Sequence, residues 1–238
     1  MNFQSSSSGS IVAIVPAAGI GSRMGATIPK QYLPLLDKPI LAHTLQRLLS
    51  HPAIDKVIVA VSAEDSWFDS LAEARDPKLT RVLGGKERAD SVLAALSALP
   101  DSCDAWALVH DAARPCLTHG DIDALLASRL TYPQGAILAM PVRDTMKRAA
   151  TDGSIETTVC REALWHALTP QLFPAERLKQ HLEQALAAGV SITDEASAME
   201  WAGVYPGLVS GRADNIKVTH PDDLQLAGLF LQAQQQHT

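Results

Sequence analysis

Four clusters of small and charged residues along this chain have the types and spacing that anion chemistry requires. The first is Pro16-Ala17-Ala18-Gly19-Ile20-Gly21-Ser22-Arg23-Met24-Gly25, at the end of an apolar run. Small residues such as Ala17, Ala18, Gly19 and Gly21 let the backbone approach a ligand, and successive N–H groups can form an anion-binding nest. Arg23 and Lys30 flank this loop seven residues apart, and Pro29 stiffens the backbone beside Lys30. Two cations so placed suit a polyphosphate whose charge grows during phosphoryl chemistry. The second cluster is Gly84-Gly85-Lys86-Glu87-Arg88-Ala89-Asp90-Ser91. Its paired glycines again permit close approach, and Ser91 with the following helix start can donate to a base or a phosphate. The third is His110-Asp111-Ala112-Ala113-Arg114-Pro115, where Asp111 could hold Mg²⁺ against triphosphate oxygens and Arg114 could hold Asp111 or reach substrate. The fourth is Gly211-Arg212-Ala213-Asp214-Asn215-Ile216-Lys217-Val218-Thr219, with Asp214 and Lys217 able to complete a metal and phosphate site.

Each cluster has a plainer reading. Arg23 and Lys30 would do as solvated surface cations, Gly84-Gly85 as a turn, and Asp111–Arg114 as a buried pair fixing a loop. His110 has no second histidine at ligand spacing, so it reads as structural. Gly19-x-Gly21 is half of a dinucleotide fingerprint, but Gly25 falls one residue late for GxGxxG. The acidic strand end wanted about 20 residues on is replaced by a proline-bounded loop and a helix, which demotes hydride transfer. No GxxxxGK[ST] is present, so a P-loop is excluded.

The elements that must position these residues follow from periodicity. Ile11–Val15, Lys56–Val61, Leu79–Leu83, Ala105–Val109 and Gly135–Met140 are short, almost continuously apolar runs, as expected of parallel strands covered on both faces. Between them, Pro39–Ser50 and Glu87–Leu99 carry helical stripes, and Thr118 with Asp121 makes a capping box before Ile122, Leu125 and Leu126. Strand–helix alternation predicts an α/β fold, a doubly wound and mostly parallel sheet of Rossmann-like kind. Val142–Ala150 and Ile155–Cys160 read instead as a hairpin turning at Thr151-Asp152-Gly153-Ser154. An isolated hairpin is marginal, so it packs on another surface, either a second subunit or the same chain. Pro174 then opens a helix with Leu178, Leu182 and Leu186 that Gly189 closes, Thr193 caps another, and Asn215–Val218 is a last strand before a helix from Pro221.

Composition bounds the rest. With 238 residues, 47% hydrophobic and 19% charged, the chain can bury a full core. Residues 1–10 are Ser-rich and read as a disordered leader without the marks of a signal peptide, followed by one domain, 11–238, with 141–161 as an arm. The longest apolar run, Ile11–Ala18, is far short of a membrane span. A net charge of −6 without a Lys/Arg block argues against a nucleic-acid partner. Cys103, Cys116 and Cys160 form no CxxC pair and read as reduced cytoplasmic thiols.

Taken in order, PAAGIGSRMG with PKQY, GGKERADSV, HDAARP, PVRDTMK, LWHALTPQ, TDEASAME and GRADNIKVT closely resemble the 2-C-methyl-D-erythritol 4-phosphate cytidylyltransferase family, from about Ile11 to about Leu229. The resemblance implies that CTP and methylerythritol 4-phosphate give the CDP-methylerythritol product and pyrophosphate, with Mg²⁺ as cofactor. It implies that Ala17–Gly25 wraps the triphosphate and that Arg23 and Lys30 stabilise the transition state and the leaving pyrophosphate. It places Lys217 at the α-phosphate, and Gly85, Asp90 and Ser91 in the segment that reads cytosine and ribose. Asp111, with Ala112 beside it, stands where Mg²⁺ is held, and Asp214 is a second ligand candidate. It implies a homodimer in which Thr145 and Arg161 of each arm bind the acceptor in the neighbour's site, with Arg114 and Thr169 as further pocket positions. Lys86 departs from the family pattern, which leads one to expect an acidic or small residue there. The rival readings are a cytidylyltransferase for another polyol phosphate such as ribitol 5-phosphate, a non-catalytic nucleotide binder, and a nicotinamide oxidoreductase.

Overall fold

The computed structural model describes residues 9–19, 28–100 and 104–236. Gly21, Arg23, Cys103 and most of the leader lie outside the described residues. Eleven strands and six α-helices occur among those described: β1 (Ser10–Pro16), β2 (Pro34–Leu35), β3 (Lys38–Pro39), α1 (Ile40–Leu49), β4 (Lys56–Val61), β5 (Leu79–Leu83), α2 (Arg88–Ser97), β6 (Ala105–Val109), α3 (His119–Ala127), β7 (Ala136–Pro141), β8 (Met146–Ala149), β9 (Ile155–Val159), β10 (Trp165–Pro174), α4 (Ala175–Ala187), α5 (Glu195–Trp201), β11 (Gly207–Ser210) and α6 (Pro221–Gln236). The central sheet runs β11-β7-β10-β6-β1-β4-β5. β1 is parallel to β4 and to β6, β4 to β5, and β7 to β11, while β10 is antiparallel to both its neighbours.

Both faces of the sheet are covered, which is why its central strands are apolar at successive positions. Ile11, Ala13 and Val15 of β1 join one core with Leu41, Leu45 and Leu48 of α1 and Ile122 and Leu125 of α3. Val12 and Ile14 face the other core, with Val92 and Leu96 of α2, Leu178 and Leu182 of α4, and Met199 of α5. Each such leucine or valine contributes about 1.5–3 kcal/mol by leaving water. A third cluster, Leu35, Ile40, Cys116, Val218, Ala227 and Leu231, seats α6 against the short β2–β3 hairpin.

The chain departs from the expected elements in the last third. β10 lies in a segment whose Pro170 argues against a central strand. Its pairing with β7 shifts register between Ala167 and Gln171, and the proline sits in that irregularity, where no ladder donor is required. β11 is four residues at the sheet edge. Asn215–Val218 is not a strand, because its backbone groups are used elsewhere. Val218 N–H donates to Ala113 O at 2.8 Å, and the carbonyls of Asn215 and Val218 accept from Arg114 and Lys30. Asp194, not Thr193, caps α5, accepting from Ser197 N–H at 2.9 Å. The expected hairpin is present as β8–β9, a separate two-stranded sheet whose residues are almost all exposed.

Phe173, fully buried on β10, lies so close to Gly135 that a Cβ there would fall 2.2 Å from its ring. Phe173→Ala is expected to cost about 3–5 kcal/mol in urea denaturation. A loss below about 1 kcal/mol would show that β10 is not integral to the core.

Candidate active site

β1 lies where the strand order reverses: the chain proceeds outward to β4 and β5, then crosses to β6 on the other side of β1. Open α/β sheets bind ligands at such a point, beyond the carboxyl ends of the strands. A cavity of about 220 Å³ occupies this position. The residues that follow β1, β5 and β6 wall it, and Lys30, Gln31 and Lys217 complete the lining.

The wall after β1 is held by its backbone. Ala17 N–H donates to Ala60 O at 2.7 Å, and the buried Gln31 donates through Nε2 to Ala17 O at 2.7 Å. Ala18 and Gly19 are therefore presented to the cavity by main-chain anchoring on both sides. The wall after β5 approaches closely because it is glycine. A Cβ on Gly84 would lie 2.6 Å from Ala18 Cβ, and one on Gly85 would lie 2.2 Å from Asp90 Cβ. Ser91 Oγ accepts from Gly85 N–H at 3.1 Å and donates to Glu87 O at 3.2 Å, so this hydroxyl shapes the turn. Asp90 stands behind the wall and accepts from Glu87 N–H at 2.9 Å, capping α2.

The wall after β6 carries the charge. Asp111 is 6% exposed. Its Oδ1 accepts from Arg88 Nε at 2.9 Å, and its Oδ2 faces Lys217 Nζ at 2.9 Å and Arg114 Nε at 3.4 Å. Burial alone would raise the carboxyl pKa, but Arg88, Lys217 and Arg114 together hold it far below the usual carboxylate range. Arg88 also forks onto Glu195, Nη1 to Oε1 at 2.6 Å and Nη2 to Oε2 at 3.1 Å. Burial disfavours its charge, but Glu195 and Asp111 more than offset that, so the guanidinium stays protonated.

Beneath this floor lies a neutral polar layer. Asp111 N–H donates to Thr169 Oγ1 at 3.1 Å, and Thr169 Oγ1 lies 3.0 Å from His110 Nδ1. His110 Nε2 lies 3.0 Å from Arg114 O. A carbonyl only accepts, so these partners assign the proton to Nε2 and leave Nδ1 to accept from the threonine hydroxyl. Arg114 Nη1 donates to Asn215 O at 2.7 Å, and Asn215 Nδ2 donates to Thr169 O at 2.8 Å.

Ala17, Ala18, Gly19, Lys30, Gly85, Ser91, Asp111, Ala112 and Lys217 thus meet at one cavity, joined by the exposed Lys86. Arg114 and Thr169 do not line it; they are buried beneath it and fix the Asp111 loop. Asp214 also lies outside the lining, held by Arg212. Thr145 and Arg161 are exposed on and beside the arm, and Arg161 donates to Arg143 O. Neither lines the cavity of its own chain. Among the described residues no three His, Cys, Asp or Glu side chains gather as a metal cage. Asp111 is the buried carboxylate in the cavity lining, while Glu195 stands outside the lining on Arg88. That fits Mg²⁺ arriving with phosphate oxygens, which needs only one or two protein carboxylates. Sequence reasoning missed Gln31, Arg88 and Glu195. All three sit inside the quoted motifs PKQY, GGKERADSV and TDEASAME, but nothing local singles out Glu195, whose partner Arg88 is 107 residues away.

His110 links this layer to pH. Complete burial lowers its pKa from 6.5 to about 4, and the Arg114 carbonyl only partly opposes this. A folded pKa below the unfolded one means the unfolded state binds the proton first. The stabilisation is complete above pH 6.5 and drains away between 6.5 and about 4. It amounts to about 3 kcal/mol. His110→Gln keeps a donor for Arg114 O but does not titrate, so urea denaturation between pH 7.5 and 4.5 should show a flatter pH slope than wild type. Equal slopes would contradict a neutral buried imidazole. Asp111 has the opposite charge but the same sign, and its contribution is lost only as pH falls below the usual carboxylate range.

The fold and site have known counterparts. The 2-C-methyl-D-erythritol 4-phosphate cytidylyltransferase family model matches residues 11–233. A relative bearing that name from Shewanella oneidensis is 70% identical over 224 residues, covering 94% of this chain and 89% of the relative. One from Shewanella pealeana is 69% identical, covering 94% and 96%. The crystal structure of the Francisella tularensis 2-C-methyl-D-erythritol 4-phosphate cytidylyltransferase superposes with a TM-score of 0.80 at 34% identity, over 93% of this chain and 99% of that one. The walls after β1, β5 and β6 carry the motifs on which the resemblance rests, and the match runs through all of them: the chain belongs to the 2-C-methyl-D-erythritol 4-phosphate cytidylyltransferase family.

Proposed function

We propose that this chain is a nucleotidyltransferase that moves a cytidylyl group from CTP to 2-C-methyl-D-erythritol 4-phosphate, serving isoprenoid biosynthesis. The observation that carries the reading is the cavity at the strand-order reversal, where Lys30, Arg88 and Lys217 converge beside backbone-lined walls in a chain of this family. An acceptor phosphate oxygen attacks the α-phosphorus of CTP. The bond from that phosphorus to the bridging oxygen breaks, and pyrophosphate leaves with the bonding pair. A phosphate dianion is already a nucleophile, so no strong general base is required. Positioning and charge neutralisation supply most of the barrier reduction.

In this reading the Ala17–Gly25 loop, with Gly21 and Arg23, wraps the triphosphate. Lys30 receives the leaving pyrophosphate and Lys217 the α-phosphate. Gly85 and Ser91 shape the wall against the cytidine, and Asp90 caps the helix behind it. Mg²⁺, held by Asp111, would neutralise charge on the phosphate oxygens. Arg114 and Thr169 act from below by fixing the Asp111 loop. The exposed arm carries Thr145 and Arg161 to the acceptor in a partner's site, making the enzyme a homodimer. A cytoplasmic setting agrees with the unpaired Cys116 and Cys160, and no described helix is long and apolar enough to cross a membrane.

Pyrophosphate release with CTP, Mg²⁺ and methylerythritol 4-phosphate is the direct test, with the other three nucleotides and ribitol 5-phosphate as controls. Better turnover of the ribitol ester, or CTP binding without pyrophosphate release, would overturn the reading. Lys30→Ala and Lys217→Ala should each lower kcat at least about 100-fold, with unchanged circular dichroism. Near-wild-type kinetics for both would contradict the cation clamp. Mixing Arg161→Ala subunits with Lys30→Ala subunits should restore activity, because one site of the mixed dimer is then intact. No recovery would mean that each chain supplies its whole site.

A further inference from the structure

Glu195 does not line the cavity, is 1% exposed, and lies at the start of α5. The buried Gln171 pins that helix start, donating to Asp194 Oδ2 at 2.8 Å and accepting from Ala196 N–H at 2.9 Å. The Glu195 carboxylate takes both terminal nitrogens of Arg88, so only Nε of that guanidinium reaches Asp111, on Oδ1. An arginine facing one carboxylate prefers the two-pronged arrangement. Here that fork is already occupied, and Asp111 Oδ2 is left to Lys217 at 2.9 Å and, at a longer 3.4 Å, to Arg114. Three positive charges stand against two negative ones in this cluster.

We propose that Glu195 is a positioning residue for Lys217: by occupying the fork of Arg88 it keeps one oxygen of Asp111 for the lysine, and so holds the ammonium at the cavity. The inference rests on the reading that Lys217 serves the transferred phosphate. Neutralising Glu195 frees the fork of Arg88 to turn onto both oxygens of Asp111, and Lys217 is displaced. The loss then falls on the transition state rather than on substrate binding.

The test is a double-mutant cycle of Glu195→Gln and Lys217→Ala, read in kcat and KM with CTP and methylerythritol 4-phosphate. Glu195→Gln should lower kcat about 10- to 100-fold with KM nearly unchanged, and should change kcat less than about 3-fold once Lys217 is alanine. Additive losses would overturn the proposal. A second readout needs no turnover: limited acetylation of the uncomplexed protein, followed by mass spectrometry of the Lys217 peptide. Lys217 should be labelled faster in Glu195→Gln than in wild type, and equal labelling overturns the proposal whatever the kinetics. Should Glu195→Gln not fold, Glu195→Asp, one methylene too short to hold the fork, carries the same cycle with a smaller fall in kcat. A wild type that is inactive with these substrates defeats the functional reading instead, and the labelling comparison still decides the role of Glu195.

Discussion

One carboxylate buried among three cations is the interaction on which this site depends. Taking Asp111 out of water costs several kcal/mol, and that cost is met only if its oxygens are well partnered. The partners come from distant parts of the chain: Arg88 from α2, Arg114 from the same loop, and Lys217 from the segment before α6. Their convergence brings together the wall after β5, the wall after β6 and the C-terminal segment. The wall after β1 needs no charge, because Gln31 and Ala60 anchor its backbone.

The supporting layer explains why the C-terminal part of the fold is irregular. β10 runs antiparallel between β6 and β7, and its register break places Thr169 under the Asp111 amide while Gln171 reaches the start of α5. A regular strand would place Thr169 and Gln171, two residues apart, on the same face. In the same way, the segment around Asn215 gives up ladder pairing so that its carbonyl can hold Arg114 and its side chain can hold Thr169. Buried polar groups need partners, and here meeting that need fixes the loops that face the cavity.

This division separates what was legible in the sequence from what was not. β1, β4, β6 and β7 are legible because most of their residues are buried and apolar character is nearly continuous, while β5, a half-buried edge strand, is legible from Leu79, Val82 and Leu83. The Thr118–Asp121 cap of α3 is legible because a capping box is local. β10 is hidden because Pro170 lies in it, and Asn215–Val218 misleads because apolar and β-branched residues can pack without pairing. The cavity wall residues announce themselves by glycine, small side chains and lone cations. Glu195 does not, since a carboxylate in a helix start has an ordinary local explanation and its partner is remote in sequence. The resemblance likewise names Arg114 and Thr169 as pocket positions, but it cannot say that their side chains sit one layer down.

The same electrostatics bears on how such a site can be filled. Within the cluster cations outnumber carboxylates by one, and the exposed Lys86 and half-buried Lys30 add to the excess at the cavity. A polyanion entering this rim completes a charge balance that the protein leaves open, while Asp111 and Glu195 keep the cations from repelling one another before it arrives. The preorganised cations then need little rearrangement as charge shifts toward the leaving group, which is where electrostatic catalysis gains over water. With no side chain required to take a proton, selection of the acceptor falls to whatever closes the open side of the cavity. The exposed arm carries Thr145 and Arg161, neither of which lines the cavity of its own chain.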